Sequence, residues 1–337
     1  MAHQIERLDT AMFSEKEAWH GKGIVVAEAP SPEEALTISG LDWEVGKNPI
    51  FREDRSLIRS HVETFREDTG LSLGVVGKNF EVVQNRQLFD FAYGVKGLSD
   101  DLKVETAFSM RNCRRVLVSI RADEFFPLND DAVNMYLIVA NGHDGSLTLV
   151  TYFSSTRVVC NNTFKASLSA VKRGEGLVKM RHEGDMVAKI EDAQRVLSAY
   201  HNTFNNYRKC CDAMVRRKMS LDEMKEFFLE AVMLMEGLIP SAEDAKKTKR
   251  AGTKREKCVK AYAQICENFS REAAELHSDR NAWLAFNACT KWMQHGRPTR
   301  GKDDAKAADN KVYSDQFGPL CDAKESLWKS AMKLAAV

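Results

Sequence analysis

With 337 residues, 44% hydrophobic and 29% charged, the chain has a folded globular composition, which excludes global disorder and a fibrous class. Its net charge of +1 hides an asymmetry: residues 1–156 hold 16 Lys and Arg against 24 Asp and Glu, and the remainder 33 against 24. No apolar run approaches the roughly 18 residues of a membrane span, and Met1–Arg7 lacks the apolar core of a secretory signal, so a cytoplasmic protein with no membrane partner is expected.

Residues 1–70 read as a mixed lead-in. Pro30-Ser-Pro32-Glu-Glu opens a helix with turn chemistry and an acidic first turn, and Asp42–Val45 and Leu57–Val62 are candidate strands. Val75-Val76 and Phe80–Val83 read as short strands around Gly77-Lys78-Asn79, and Asn85 as the N-cap of a helix over 86–93. Val104, Thr106, Phe108 and Met110 alternate with more polar neighbours, the period-two pattern of a half-buried strand. Further strands are expected at 116–120, 135–140 and 147–153, with an extension at 157–160. Asn141-Gly-His-Asp-Gly145 forms a tight connection between two of them, and the whole reads as an antiparallel meander.

A helix over Phe164–Val171, capped from Asn161–Thr163, is expected to pack back on the sheet, with Gly174-Glu-Gly176 marking its exit. Helical periodicity then runs from about 185 to 219, and Ser220-Leu-Asp-Glu223 is a capping box for the next helix. Residues 246–257, rich in Lys, form either a mobile connection or an exposed helical start. Ser278-Asp279 reads as a cap for the segment holding Trp283, Phe286 and Trp292, and a last helix surrounds Leu327-Trp328. The fold class predicted is α+β: an antiparallel β-meander with short helices over residues 1–184, then a mainly helical region over 185–337 packed on the sheet.

The eight cysteines contain no C-x-x-C pair, so neither a zinc site nor a disulfide framework is expected. His143-Asp144 is the tempting catalytic pair for a hydrolase, yet its flanking glycines favour a turn. Gly74-Val-Val-Gly77-Lys78 lacks the spacing of a phosphate loop. No cofactor and no metal is called for.

Basic residues offer more. Arg111, Arg114 and Arg115 crowd one strand connection, with Asp100, Asp101 and Glu105 nearby in sequence to pair with them. Arg121 ends the following strand, and Arg157, Lys165, Lys172 and Arg173 surround the expected helix at 164–171. With Lys78 and the aromatic residues Phe108, Tyr152 and Phe153, these side chains could line a groove between sheet and helix. Positive charge tracks phosphates and aromatic faces stack bases.

Four phrases carry a family resemblance: Ala18-Trp-His-Gly-Lys-Gly23, Leu73-Gly-Val-Val-Gly-Lys-Asn-Phe80, Thr156-Arg-Val-Val-Cys-Asn-Asn-Thr-Phe164 and Asn287-Ala-Cys-Thr290-Lys-Trp-Met-Gln-His295. In this order they resemble a widespread family of phage- and plasmid-borne proteins that share a domain of unknown function. The meander-then-helix layout is also similar to phage single-strand annealing proteins of the lambda Red beta and Erf types, with no shared motif. The leading expectation is a non-enzymatic, single-stranded DNA-binding (or RNA-binding) homo-oligomer that aids annealing, recombination or protection. A module that engages a host protein is the alternative, and a hydrolase built on His143 and Asp144 a third.

Overall fold

A computed structural model describes residues 12–14, 24–26, 30–96, 102–147, 149–157, 162–166, 179–180, 203–297, 301, 307, 310–311, 314–315 and 318–336. Two three-residue strands, Met12–Ser14 (β1) and Ile24–Val26 (β2), precede the helix Pro32–Ile38 (α1). Ser31 caps α1 by accepting from Glu34 N at 3.3 Å, while the Glu34 carboxylate accepts from Ser31 N at 2.8 Å. This reciprocal bonding satisfies two otherwise orphaned donors.

Val45–Phe51 (β3), Leu57–Arg66 (β4) and Ser72–Gly77 (β5) form a separate three-stranded antiparallel sheet. The helix Asn85–Lys96 (α2) leads into Lys103–Met110 (β6), Arg115–Phe125 (β7), Val133–Gly142 (β8) and Leu149–Arg157 (β9). These four strands pair in sequence order as the expected meander. Asn162–Ala166 (β10) and Lys179–Met180 (β11) both add to β9, and β1, with β2 parallel to it, adds to β6.

Helices follow at 203–216 (α3), Leu221–Glu236 (α4), Ala242–Lys247 (α5), Lys249–Glu275 (α6), Ala282–Lys291 (α7) and Pro319–Leu334 (α8). One π-helical turn, Trp292–Gly296, continues α7. The fold is therefore α+β, as the patterning implied. Ser220 and Glu223 form the capping box of α4.

Several local expectations are corrected. The described part of the segment expected as a helix at 164–171 is strand β10, where Phe164 pairs with Ser155 and Ala166 with Phe153. An open edge of β9 satisfies its backbone groups, and β-branched Thr163 and aromatic Phe164 suit that edge. Residues 167–171 and the expected boundary near Gly184 lie outside the described residues. Phe80–Val83 is not a strand, because the Gln84 side chain instead pairs with both backbone groups of Val45, at 2.9 and 3.0 Å. Asn85 is not a cap: it is the first residue of α2, and its Oδ1 meets His143 Nε2 while its amide nitrogen donates to Leu41 O and Trp43 O. Asn281 rather than Ser278 or Asp279 caps α7, accepting from Leu284 N at 2.9 Å. Residues 246–257 lie in α5 and α6 apart from the Thr248 junction, so the helical alternative for that stretch holds.

Among the described helices, α3 and α7 meet the sheet region. Trp283 and Phe286 are both 1% exposed, and the Trp283 indole donates to buried Asp131, between β7 and β8, at 2.7 Å. Tyr207 of α3 hydrogen-bonds Ser155 of β9 at 2.7 Å, stacks on Trp328 of α8 and meets Phe125 of β7 edge-on. One buried apolar cluster runs from Ala35 through the sheet to Ala331. Burial pushes the Tyr207 phenol well above its usual range.

Candidate nucleic-acid interface

The described basic candidates from the sequence lie in several different surroundings. Arg111 lies in the β6–β7 turn, donating to Asn310 at 3.1 Å, and Arg114 is exposed in the same turn. Arg111, Asn112 and Cys113 all adopt positive φ, a costly run for side-chain-bearing residues. Arg66 of β4 donates to Cys113 Sγ at 3.2 Å, and His143 N donates to Arg114 O at 2.8 Å, so the turn is held from two sides.

Arg115 is 8% exposed and donates to Ser146 at 2.9 Å, which places it in the framework rather than on a surface. Glu105, expected as an arginine partner, accepts from Tyr136 OH at 3.2 Å. Asp100 and Asp101, like Lys172 and Arg173, lie outside the described residues. Arg121 and Lys165 do fall in one cross-strand row, Lys103–Arg121–Tyr136–Ser154–Lys165. Ser154 within it is 2% exposed and Arg121 pairs with Glu124 at 3.4 Å, so the row is not an open track. Arg157 pairs in register with Val133 and Asn162 at the end of β9. Phe108, Tyr152 and Phe153 are at most 4% exposed, so none offers a face to a base.

His143 and Asp144 are likewise committed to the fold. His143 is 1% exposed, its ring edge-on to Trp43 at 5.4 Å. Because the Asn85 amide nitrogen serves two carbonyls, its Oδ1 faces His143 Nε2 at 3.1 Å, and Nε2 is the donor. Asp144 accepts from Ser146 N at 3.0 Å, a local turn contact.

This junction anchors the three-stranded sheet. Thr64 of β4 donates to His143 O at 2.7 Å, and Arg66 lies 4.6 Å over the Trp43 ring while pairing with Asp68 at 2.6 Å. Gly74 of β5 packs so closely on the β8–β9 turn that a Cβ there would sit 2.7 Å from Asp144 Cβ.

Away from the anchor the same sheet becomes an arm. In β3 and β4 the residues from Lys47 to His61 are exposed or partly exposed, with none buried. Thr64 and Leu57 are seven positions apart along β4, so the arm extends on the order of 20 Å from its anchor. Its turn closes through Arg52 N to Ser56 O at 2.9 Å, with Arg55 in the left-handed region at φ 64°. Asp54 is tied into that turn: the Ser56 hydrogen bonds hold its carboxyl below the usual range.

Arg52, Arg55, Arg59 and Lys78 are all exposed, and among the described residues none forms an ion pair. Lys78 N donates to Ser60 O at 3.0 Å, which sets Lys78, alone of the described sequence candidates, beside the arm. Phe51 and Leu57 face each other across its end at 56% and 46% exposure. The sequence reading missed this site because its arginines alternate with Glu53 and Asp54 and no basic cluster shows. The one legible signal was an aromatic residue followed by spaced arginines.

Residues 72–313, well over half of the chain, match the family described as a domain of unknown function (DUF932), and the chain belongs to that family. Comparison with curated proteins and with solved structures gives no match. Among the described residues no helix is long and apolar enough to cross a membrane.

Proposed function

We propose that this member of the family is a non-enzymatic, single-stranded nucleic-acid-binding protein, acting as an oligomer in annealing, recombination or protection of phage or plasmid DNA. The observation that carries the reading is the anchored arm, whose Arg52, Arg55, Arg59 and Lys78 have no carboxylate partner among the described residues, with an exposed aromatic at its end. Cations held on a stiff ribbon can follow a phosphate backbone without reading its bases, which leaves those bases available for pairing.

The test is fluorescence anisotropy of the protein with a labelled single-stranded oligonucleotide across a salt series. The variant combines Arg52→Gln, Arg55→Gln and Arg59→Gln. It should bind more weakly, with the log–log salt slope shallower by about 0.7 for each phosphate that is no longer neutralised. Its stability should stay within roughly 0.5 kcal/mol of the parent, because all three side chains are exposed. No binding by the parent at low salt sinks the proposal. Binding that survives in this variant but not in one lacking Lys246, Lys249 and Arg250 moves the site to the α5–α6 elbow, where those side chains are also exposed.

A second reading, engagement of a host protein, is favoured by a different observation. Met233, Leu234 and Leu238 at the end of α4 and Val259 on α6 are 38% to 82% exposed.

A further inference from the structure

We infer that Phe51 and Leu57 form a stacking platform for an unpaired nucleobase, so that the arm selects single strands over duplex; the inference rests on the function proposed above. The two residues are directly paired across β3 and β4, which puts their side chains on one face of the ribbon. The next pair, Ile50 with Ile58, alternates to the other face and is only partly exposed. The end of the arm thus has a sheltered apolar side and an open one. The open side keeps Phe51 56% and Leu57 46% exposed.

Charge decides which partner suits that open side. Arg52 follows Phe51 directly, its guanidinium tethered to Ser56 Oγ at 3.2 Å, with Arg55 in the turn and Arg59 two residues beyond Leu57. An aromatic face bordered by cations fits a ligand that offers a flat π-surface and an anion a few ångströms apart, which describes one nucleotide of a flexible strand. A second copy of the chain would bring a like-charged arm to the same place. Two side chains also cover far less than the roughly 1,000 Å² that a specific protein interface buries. Within a duplex the base faces are already stacked on one another, so the platform has nothing to hold.

The experiment measures affinity of the parent, Phe51→Ala and Phe51→Trp for a labelled oligothymidylate and for the matching blunt duplex, with melting temperature and sedimentation recorded for each. Phe51→Ala should weaken single-strand binding about tenfold, leave the salt slope and duplex affinity unchanged, and melt with the parent. Phe51→Trp should restore single-strand affinity. The inference is overturned if Phe51→Ala binds the single strand as tightly as the parent. It is equally overturned if the loss is the same on duplex, which makes the pair a wedge between base pairs, or if only self-association changes, which makes it a contact between copies. A parent that binds neither nucleic acid removes the proposed function and this inference together, whereas a binding parent with an indifferent Phe51 removes the inference alone.

Discussion

The two ends of the three-stranded sheet obey different rules. At the anchor, Thr64, Arg66 and Gly74 meet His143, Cys113 and Asp144, and the polar groups find partners in the body of the protein. At the far end, Arg52, Arg55, Arg59 and Phe51 face solvent with little to hold them. Beyond His61 the ribbon narrows to β3 and β4, and a two-stranded hairpin is only marginally stable by itself. The anchor therefore supplies the rigidity that lets the far end keep unpaired cations and an exposed ring in place. Stability should depend on the first region and binding on the second.

Gly74 and Gly77, three residues apart on β5, give the largest contrast. Gly74→Val drives a side chain into Asp144, whose Cα would lie 2.8 Å from the new Cβ, and should cost about 3 kcal/mol in denaturant unfolding. Gly77→Ala meets nothing within 4 Å and should leave the unfolding midpoint unchanged or slightly raised. Equal effects at the two sites would erase the division.

A smaller effect is expected from Thr64→Val, which keeps the shape but takes the hydroxyl donor from buried His143 O. The expected loss is about 1–3 kcal/mol, with single-strand affinity unchanged in the folded fraction. An affinity loss at full folding would show that the anchor also takes part in binding.

The smallest effect concerns pH. The Arg66 guanidinium holds the Asp68 carboxyl below its usual range. A depressed carboxyl stabilises the fold fully above the unfolded value of about 3.9 and loses that contribution as pH falls through the lower folded value. Melting curves of the parent and Asp68→Asn should therefore differ slightly near neutrality and converge in acid below that range. A gap that persists there would assign the difference to something other than the ion pair.

Much of the architecture was legible because its cues are local. The alternation of Val104–Met110, the capping box at Ser220 and Glu223 and the aromatic stripe at Trp283 and Phe286 all correspond to real elements. The interface was far less legible. Among the described basic candidates, Lys78 lies beside the arm, Arg115 is buried framework, and Arg121 is paired within its own strand. Sequence marks where arginines sit along the chain, and clustering along the chain is a poor guide to clustering in space. Phe51 falls outside the strands expected at 42–45 and 57–62, and its place at the end of a projecting ribbon leaves it exposed.

By itself the sequence determined the fold class, the meander and the limits of the helix opened by Ser220, because periodicity and capping join residues two to four positions apart. Tertiary structure decided which faces are covered. Contacts such as Arg66 with Cys113, Thr64 with His143 and Trp283 with Asp131 join residues 47, 79 and 152 positions apart. At the edge of β9, Phe164–Ala166, the described start of an expected helix, instead pair as part of β10, because backbone groups at a sheet edge outweigh the weak helical preference of so short a segment. Exposure, and with it the candidate site, is a property of that long-range packing, which no local pattern encodes.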